Sequence, residues 1–253
     1  MTFIELYNEI DKLYPKSLSC EWDNDGIMCM YDPCAPVCRA LISLDVTEEV
    51  IDYAISEKYD TIISHHPLIF SSQKSLSSEN YTQRKLIKLI KNNINVMSFH
   101  TRLDAGENGV NDTLCKMLGF KNYTKDSNDP IGRIVKTLKP TDLSEFSAFV
   151  KERLNSSRVF YSGNKAVNKI YIVGGDGKDL IPNAIDCGAD TLLTGRASYN
   201  TMIDSIDMGL NIVEAGHFYT EDPVCITLEN IVNSLDNNIK VYTYKSNNII
   251  AIN

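Results

Sequence analysis

The chain has more acidic than basic residues, a single tryptophan, only four histidines and no long apolar run. The 33 acidic and 25 basic residues give a formal charge of −8. The chain therefore lacks the excess of positive charge that is typical of proteins that bind a nucleic-acid backbone. No apolar stretch approaches the length of about 20 residues that spans a bilayer. The N-terminus MTFIELYNEIDKLYP is too acidic for a signal peptide. Nucleic acid and membrane are therefore not expected partners.

The seven cysteines have no pattern typical of a disulfide framework or a zinc site. Their number is odd, no C-x2-C pair occurs, and the only close spacing is Cys34-x3-Cys38 beside two prolines. This usage is typical of reduced thiols, and we predict a cytoplasmic protein. A length of 253 residues, with 43% hydrophobic and 23% charged residues, suits a globular chain with two lobes.

The four histidines are concentrated in three short motifs. These are His65 and His66 in SHHPLIF, His100 in HTRLD, and His217 in GHFYTE. Two of the motifs carry a carboxylate four positions after the histidine, at Asp104 and Glu221. Imidazole is the commonest nitrogen ligand of transition metals, and mixed donors at a repeated spacing favour a metal site. The pattern therefore predicts that the histidines serve one metal site.

Alternating strand and helix signals predict an α/β fold. A capping box at Thr2-x-x-Glu5 opens an amphipathic helix that ends at Pro15. A strand at 40–44 is followed by a helix that Asp45-x-x-Glu48 opens, and by a strand at 61–64. A further strand at 94–99 precedes His100. The histidines thus follow the carboxyl ends of strands, where open parallel sheets bind their ligands.

The second half of the chain repeats the first. Residues 60–64 (DTIIS) match 190–194 (DTLLT), and residues 96–104 match 213–221. We infer two lobes of similar topology, residues 1–126 and 127–253, with an approximate boundary in the polar segment 124–130. The C-terminal strands either stay in the second lobe or return to the first.

Each candidate residue has a structural alternative. On one continuous strand His65 and His66 would face opposite sides, so ligation by both requires the strand to end at Ser64, as Pro67 favours. Asp104 alternatively caps the next helix, and Glu221 alternatively sits at a helix start, where the helix dipole favours a carboxylate. Trp22 either packs in a turn or lines a pocket. The glycine-rich residues 174–177 are interpreted as a tight turn rather than a phosphate loop.

Six motifs resemble, in order and over nearly the whole chain, those of the NIF3-like dinuclear-metal family. They are WDNDG, SLDVT, SHHPLIF, HTRLDAGENGVND, TGRASY and GHFYTE. The family includes bacterial proteins named GTP cyclohydrolase 1 type 2 homologues. The resemblance implies two similar lobes of mixed sheet with flanking helices, a metal site between the lobes, and a toroidal homohexamer.

The resemblance also implies roles for individual residues. The implied metal ligands are His65, His66, Asp104, His217 and Glu221, with Glu221 bridging two divalent ions. Apart from the resemblance, His100, Asp23, Asn24, Arg102 and Arg196 are candidates to orient these ligands or to contact substrate. His100 alternatively ligates a metal, and the two arginines alternatively form ion pairs at a subunit contact. Nitrogen and oxygen donors without thiolate fit Zn, Fe, Mn, Co or Ni. Arg102, Arg196 and Asn200 depart from the family pattern, so the substrate of a relative is not transferred to this chain.

Two functions are consistent with these features. One is a metal-dependent hydrolase of a small nucleotide-like or phosphorylated molecule, similar to GTP cyclohydrolase 1 type 2. The other is a metal-binding toroidal assembly or interaction protein without catalytic turnover. The sequence shows no dedicated general acid or base beyond the ligands and His100, so no catalytic residue is assigned.

Overall fold

The computed structural model describes residues 1–245, which form two compact units. The first unit comprises Met1–Gly106 together with the described chain from Val224 onward, and the second comprises Glu107–Pro223. Each unit contains one mixed β-sheet with flanking helices. The predicted α/β class with two mixed sheets is confirmed.

The elements alternate along the chain. In chain order the helices are α1 (Phe3–Leu13), α2 (Glu48–Ser56), α3 (Tyr81–Lys91), α4 (Thr101–Ala105), α5 (Val110–Met117), α6 (Leu143–Leu154), α7 (Ile181–Asp186), α8 (Tyr199–Asp207), α9 (His217–Glu221) and α10 (Val224–Leu235). The strands are β1 (Gly26–Cys29), β2 (Arg39–Ser43), β3 (Thr61–Ser64), β4 (Asn95–Ser98), β5 (Thr124–Lys125), β6 (Arg133–Thr141), β7 (Phe160–Ser162), β8 (Val167–Asp176), β9 (Thr191–Arg196), β10 (Asn211–Glu214) and β11 (Lys240–Thr243).

The sheet of the first unit has the strand order β1-β4-β3-β2-β11. Strands β2, β3, β4 and β11 are parallel, and β1 pairs antiparallel with β4 at the edge. The predicted capping box of α1 is present: Thr2 accepts from the Glu5 amide, and the Glu5 carboxylate accepts from the Thr2 amide. The helix buries Phe3, Leu6 and Ile10, which its 3.6-residue period places on one face.

The sheet of the second unit has the order β5-β6-β8-β9-β10-β7. Its centre repeats the first unit, because β8, β9 and β10 are parallel and β7 pairs antiparallel at the edge beside β10. On the other side β6 is antiparallel to β8, whereas β11 is parallel to β2 in the first unit. The repeat predicted from the sequence therefore covers three parallel strands and one antiparallel edge strand.

The matching aspartates of the repeat make the same hydrogen bonds. Asp60 precedes β3 and accepts from the amide of Arg39 at 3.0 Å, where β2 begins. Asp190 precedes β9 and accepts from the amide of Lys169 at 2.8 Å in β8. Each carboxylate therefore fixes the start of its own strand against the start of the preceding one, which explains why the DT dipeptide recurs.

The division into units differs from the sequence-based boundary after residue 126. The polar segment 124–130 is not a linker, because Thr124 and Lys125 form β5 on β6. Asp126 is buried and accepts a hydrogen bond from the Tyr171 hydroxyl at 2.9 Å. The chain returns to the first unit through α10, and β11 pairs in parallel with β2. Residues 246–253 of the predicted second lobe lie outside the described residues.

Two further sequence expectations concern cysteines and membrane. The described residues include all seven cysteines, and none of them forms a disulfide there. In residues 1–245 every helix falls short of the length and apolar character needed to cross a bilayer.

Candidate metal centre

Three histidines of the first unit lie together at the carboxyl edge of its sheet. His65 and His66 follow β3, and His100 follows β4 by one residue. The two strands are parallel neighbours with Ser64 opposite Ser98, so their ends deliver the three imidazoles to one place. One ring nitrogen from each lies within 4.8 Å of the others. His65 is fully buried, while His66 and His100 are half-buried.

The end of β3 explains how two adjacent histidines reach the same site. The strand ends at Ser64, as required for both to ligate. The Ser64 hydroxyl donates to the carbonyl of His66 at 2.8 Å and thereby closes a turn. The His65 and His66 ring centroids are 4.9 Å apart. The opposite-face alternative for these two residues is therefore wrong.

Each of the three imidazoles has an oxygen acceptor at Nδ1. The pairs are His65 with the Phe99 carbonyl at 2.9 Å, His66 with Asp45 Oδ1 at 2.8 Å, and His100 with Asp23 Oδ1 at 2.9 Å. A carbonyl or an ionised carboxylate can only accept, so it selects the tautomer that carries its proton on Nδ1. The lone pair of each neutral ring then resides on Nε2. This arrangement of outer partners is typical of metal-binding histidines.

Asp104 contributes a carboxylate beside these rings. Its Oδ1 lies 3.7 Å from Nε2 of His65, which is too long for a hydrogen bond. The separation is compatible with two donors that each lie about 2 Å from one ion. The alternative role as a helix cap is wrong, because Asp104 lies inside α4 and the cap of α5 is Gly109.

The second unit carries a further pair of donors on the short helix α9. Nε2 of His217 lies 2.8 Å from Oε2 of Glu221, one helical turn later. Glu221 is almost fully buried, whereas the His217 side chain is 43% exposed. Glu221 is the last residue of α9, and α10 begins three residues later at Val224, so the alternative of a carboxylate near a helix start stays open.

A glycine makes room for the Glu221 carboxylate. Gly175 has φ +65°, and a Cβ there would overlap Oε1 of Glu221. Its amide donates to the Thr220 hydroxyl at 3.2 Å, and the amide of Gly174 donates to Asn111 Oδ1 at 2.7 Å. The expected tight turn at residues 174–177 is wrong, because β8 continues to Asp176, with an irregularity of register between Val173 and Asp176. This irregular strand end supports a candidate ligand. Sequence patterns did not single out Asn111 or Thr220.

Arg102 is a buried structural residue rather than a substrate contact. Its side chain is fully buried, with Nε donating to Asp25 at 2.9 Å and Nη1 donating to Asp11 at 2.5 Å and to the Tyr14 carbonyl at 3.0 Å. Asp25 also accepts from the backbone amide of His100 at 3.2 Å. Burial raises the pKa of Asp25, but Arg102 and Lys16 outweigh this and hold it below its usual value. Arg102 therefore supports the backbone from which His100 projects.

Asp23 fixes His100 from the other side. Its carboxylate accepts from His100 Nδ1 and, through the second oxygen, from the amide and hydroxyl of Thr101 at 3.0 and 2.5 Å. Burial raises the pKa of Asp23, but the hydrogen bonds from His100 and Thr101 outweigh it and lower the pKa to about 2. Asp23 therefore remains ionised as the acceptor that holds the imidazole.

The other predicted support residues have different positions. The Asn24 amide donates to the Ile69 carbonyl at 2.6 Å and ties two loops together. Trp22 is 62% exposed and not packed inside, and its ring centroid lies 6.1 Å from that of His100. In the second unit Arg196 is 70% exposed, with its nearest carboxylate contact to Asp176 at 3.9 Å. Asn200 is also exposed.

Comparisons with known proteins agree with this architecture. A family model described as Duf34/NIF3 (NGG1p interacting factor 3) matches residues 1–249. The chain belongs to the Duf34/NIF3 family. Two relatives named "GTP cyclohydrolase 1 type 2 homolog" are similar to it. The protein from Clostridium perfringens is 35% identical, and the match covers 97% of both chains. The protein from Clostridium acetobutylicum is 34% identical, and the match covers 88% of this chain and 87% of that protein. The crystal structure of the Staphylococcus aureus protein SA1388 has a TM-score of 0.89 at 28% identity, covering 100% of this chain and 99% of that chain.

The donor chemistry of this Duf34/NIF3 chain fits divalent metal ions. The first unit offers three Nε2 atoms with fixed tautomers and the Asp104 carboxylate, and the second offers His217 and Glu221. All six donors are nitrogen or oxygen, as Zn, Fe, Mn, Co and Ni accept. The chain therefore has groups that could hold metal ions.

Proposed function

We propose that this chain holds two divalent ions in one dinuclear centre and is a metal-dependent hydrolase of a small nucleotide-like or phosphorylated molecule. The observation that carries the proposal is the set of three Nδ1 acceptors, which leaves each Nε2 of the histidine cluster with its lone pair. Such outer partners are typical of metal-binding histidines. The names of the two clostridial relatives support ring opening of GTP as the first reaction to test.

The proposed ligands are His65, His66, Asp104, His217 and Glu221, with Glu221 bridging. The family resemblance and the shared His-x3-acid spacing support this set. Two adjacent divalent ions, when bound, activate water and offset negative charge on a substrate.

We assign His100 a role in proton transfer or substrate contact rather than in ligation. Asp23 keeps the His100 proton on Nδ1 and would stabilise the imidazolium if Nε2 accepted a proton. The backbone of His100 is held by Asp25, so both the position and the tautomer of the ring are fixed. The half-buried ring can still reach a bound molecule.

The proposal is tested by reconstitution. The protein is stripped with a chelator and reloaded separately with each of the five candidate metals. Bound metal per chain is measured by elemental analysis, and each sample is assayed against GTP, other nucleotides, phosphoesters and cyclic amides. We expect two ions per chain, metal-dependent turnover of one substrate class, and loss of both ions in Glu221→Gln.

The matched control is Glu152→Gln, which removes an exposed carboxylate on α6 of the same unit. This variant should keep both metal and turnover. Near-zero metal in the folded wild-type protein would refute the site. Full metal loading without turnover on the whole panel would favour the second function instead.

That second candidate is a metal-binding homohexameric ring that acts as an assembly or interaction protein without turnover. The observation in its favour is a set of exposed apolar side chains on two neighbouring elements of the second unit. They are Phe160 and Tyr161 on β7 with Tyr199, Ile203 and Ile206 on α8. Exposed apolar clusters of this kind mark interaction surfaces. Light scattering should give about six times the 28.4 kDa chain mass, and a mass near 28.4 kDa would refute the ring.

A further inference from the structure

A cavity of about 420 Å³ lies within the first unit and has His66 in its wall. Its volume falls in the range of small-molecule sites, about 300–1,000 Å³. The wall combines polar groups with aromatic and apolar ones; the residues that matter here are Asp45, Thr47, His66, Tyr81, Thr82 and Lys85. His66 thus belongs both to this cavity and to the histidine cluster.

Lys85 is the cation of the cavity wall. Its ammonium is half-buried, donates to the Val46 carbonyl at 2.9 Å and lies 5.5 Å from the centre of the Tyr81 ring. Within residues 1–245 its nitrogen forms no ion pair with a carboxylate, so two of its three N–H donors remain available. Burial lowers the pKa of Lys85, and the negative charges of Glu48 and Asp45 offset this only in part.

The other basic residues of α3 differ in this respect. Arg84 pairs with Glu48 at 2.6 Å, and Lys88 pairs with Asp52. Their charges are therefore compensated by α2, whereas the charge of Lys85 is compensated by a carbonyl dipole and an aromatic face. A half-buried cation that lines a cavity without a paired carboxylate is a group suited to an anionic ligand.

Neighbouring groups fit the same chemistry. The Thr47 side-chain oxygen already accepts from the Val50 amide at 3.2 Å, so its hydroxyl hydrogen can donate elsewhere. Thr82 brings a second hydroxyl to the wall. The carboxylate of Asp45 is engaged by His66 Nδ1, which reduces its repulsion of an anion.

We infer that this cavity binds an anionic group, a phosphate or a carboxylate, of the molecule on which the metal centre acts, with Lys85 as its counter-ion and Thr47 and Thr82 as hydroxyl donors. That the anion belongs to a molecule on which the metal centre acts rests on the proposed function. Because His66 is shared by the cavity and the histidine cluster, an anion at Lys85 would hold the rest of a small substrate against the donor atoms. The exposed aromatic faces of Tyr81 and Phe70 offer contact to its uncharged part.

The test titrates inorganic phosphate and, separately, acetate into the full-length protein. Affinity is measured by calorimetry and by ³¹P or ¹³C line broadening, before and after removal of metal with a chelator. Wild type is compared with Lys85→Met, which keeps the volume and removes the charge, and with Lys85→Arg, which keeps the charge. Lys88→Met is the matched control, because it removes the same charge from the same helix.

We expect Lys85→Met to weaken binding of the preferred anion by at least about tenfold, while Lys88→Met binds like wild type and Lys85→Arg retains most of the affinity. Tighter binding of phosphate than of acetate identifies a phosphorylated ligand, and the reverse identifies a carboxylate. Equal affinity of Lys85→Met and wild type, or no saturable binding of either anion by wild type, overturns the inference.

A second measurement needs no variant. Lysine acetylation followed by mass spectrometry on the wild-type protein should show that the bound anion protects Lys85 but not Lys88.

The metal-free samples separate this inference from the proposed function, because Glu221→Gln should lose metal yet still bind the anion. Loss of anion binding in that variant, with Lys85→Met unaffected, would assign the anion to the metal centre and refute the cavity.

Discussion

The carboxylate of Asp45 lies 2.8 Å from Nδ1 of His66, although 21 residues separate the two in the chain. The sequence predicted Asp45 as the residue that opens α2. The structure instead assigns that role to Thr47, whose side chain accepts from the Val50 amide. Asp45 is therefore available to orient His66, and it does so from the end of β2, the strand next to β3.

Replacing Asp45 by alanine should weaken the metal affinity of the centre about 10–100-fold, because the imidazole of His66 loses its tautomer-fixing partner. Competition with a chromophoric chelator measures this change. Asp52→Ala is the control, since it removes an exposed carboxylate that pairs with Lys88 in the same unit. Unchanged affinity in Asp45→Ala would show that this hydrogen bond does not support the metal centre.

Arg102 and Arg196 should respond differently to loss of charge. Arg102→Met leaves the buried carboxylate of Asp25 without its main partner and should destabilise the protein by about 3–5 kcal/mol. Arg196→Met removes an exposed charge and should change stability by less than about 0.5 kcal/mol. Urea denaturation measures both. The double variant Arg102→Met with Asp25→Asn should recover part of the stability that Arg102→Met loses. If it recovers none, the unpaired Asp25 carboxylate is not the cause of the lost stability.

The sequence predicted local features well. The capping box of α1 and the end of β3 at Ser64 depend on residues a few positions apart, and both were found. The repeat was found because the short DT segments at residues 60 and 190 match each other, although each aspartate bonds to a residue 21 positions away. The proposed ligand set rests on motifs of the same kind and stays a prediction.

Features that depend on distant partners were not predictable. The burial of Arg102 depends on Asp11 and Asp25, which lie 91 and 77 residues away in the chain. Nothing around Arg102 in the sequence distinguishes such a buried ion pair from a residue that lines a cavity. The linker expected at residues 124–130 is wrong for a related reason: polar composition suggested a linker, whereas Asp126 is buried and accepts a hydrogen bond from Tyr171, 45 positions later.

Acid should destabilise the metal-free protein through Asp23. Its pKa is about 2 in the folded chain against 3.8 for an ordinary aspartate, so Asp23 stabilises the fold above about pH 4. This contribution, about 2 kcal/mol, should be lost as the pH falls from about 4 to 2. Urea denaturation of chelator-treated protein across this range should therefore show a shallower pH dependence for Asp23→Asn than for wild type. Asp179→Asn, at an exposed position, should keep the wild-type slope, and identical slopes in all three proteins would contradict the role of Asp23.

Alanine substitutions at two glycines of the second unit should distinguish backbone strain from crowding of the Glu221 carboxylate. Gly175 and Gly188 both have a left-handed backbone, with φ of +65° and +73°. A Cβ at Gly188 meets no atom within 4 Å, whereas one at Gly175 overlaps the Glu221 carboxylate. Gly188→Ala should therefore cost only the backbone strain, about 1–2 kcal/mol, and keep its metal.

Gly175→Ala should cost about 1–3 kcal/mol more than Gly188→Ala, because the added methyl group must displace Oε1 of Glu221. It should also lower the metal content, since the displaced carboxylate is the proposed bridge between the two ions. Thermal unfolding and elemental analysis on the same preparations measure both effects. If Gly175→Ala retained full metal at the stability of Gly188→Ala, the position of the Glu221 carboxylate would not matter for binding, and its role as a bridging ligand would be refuted.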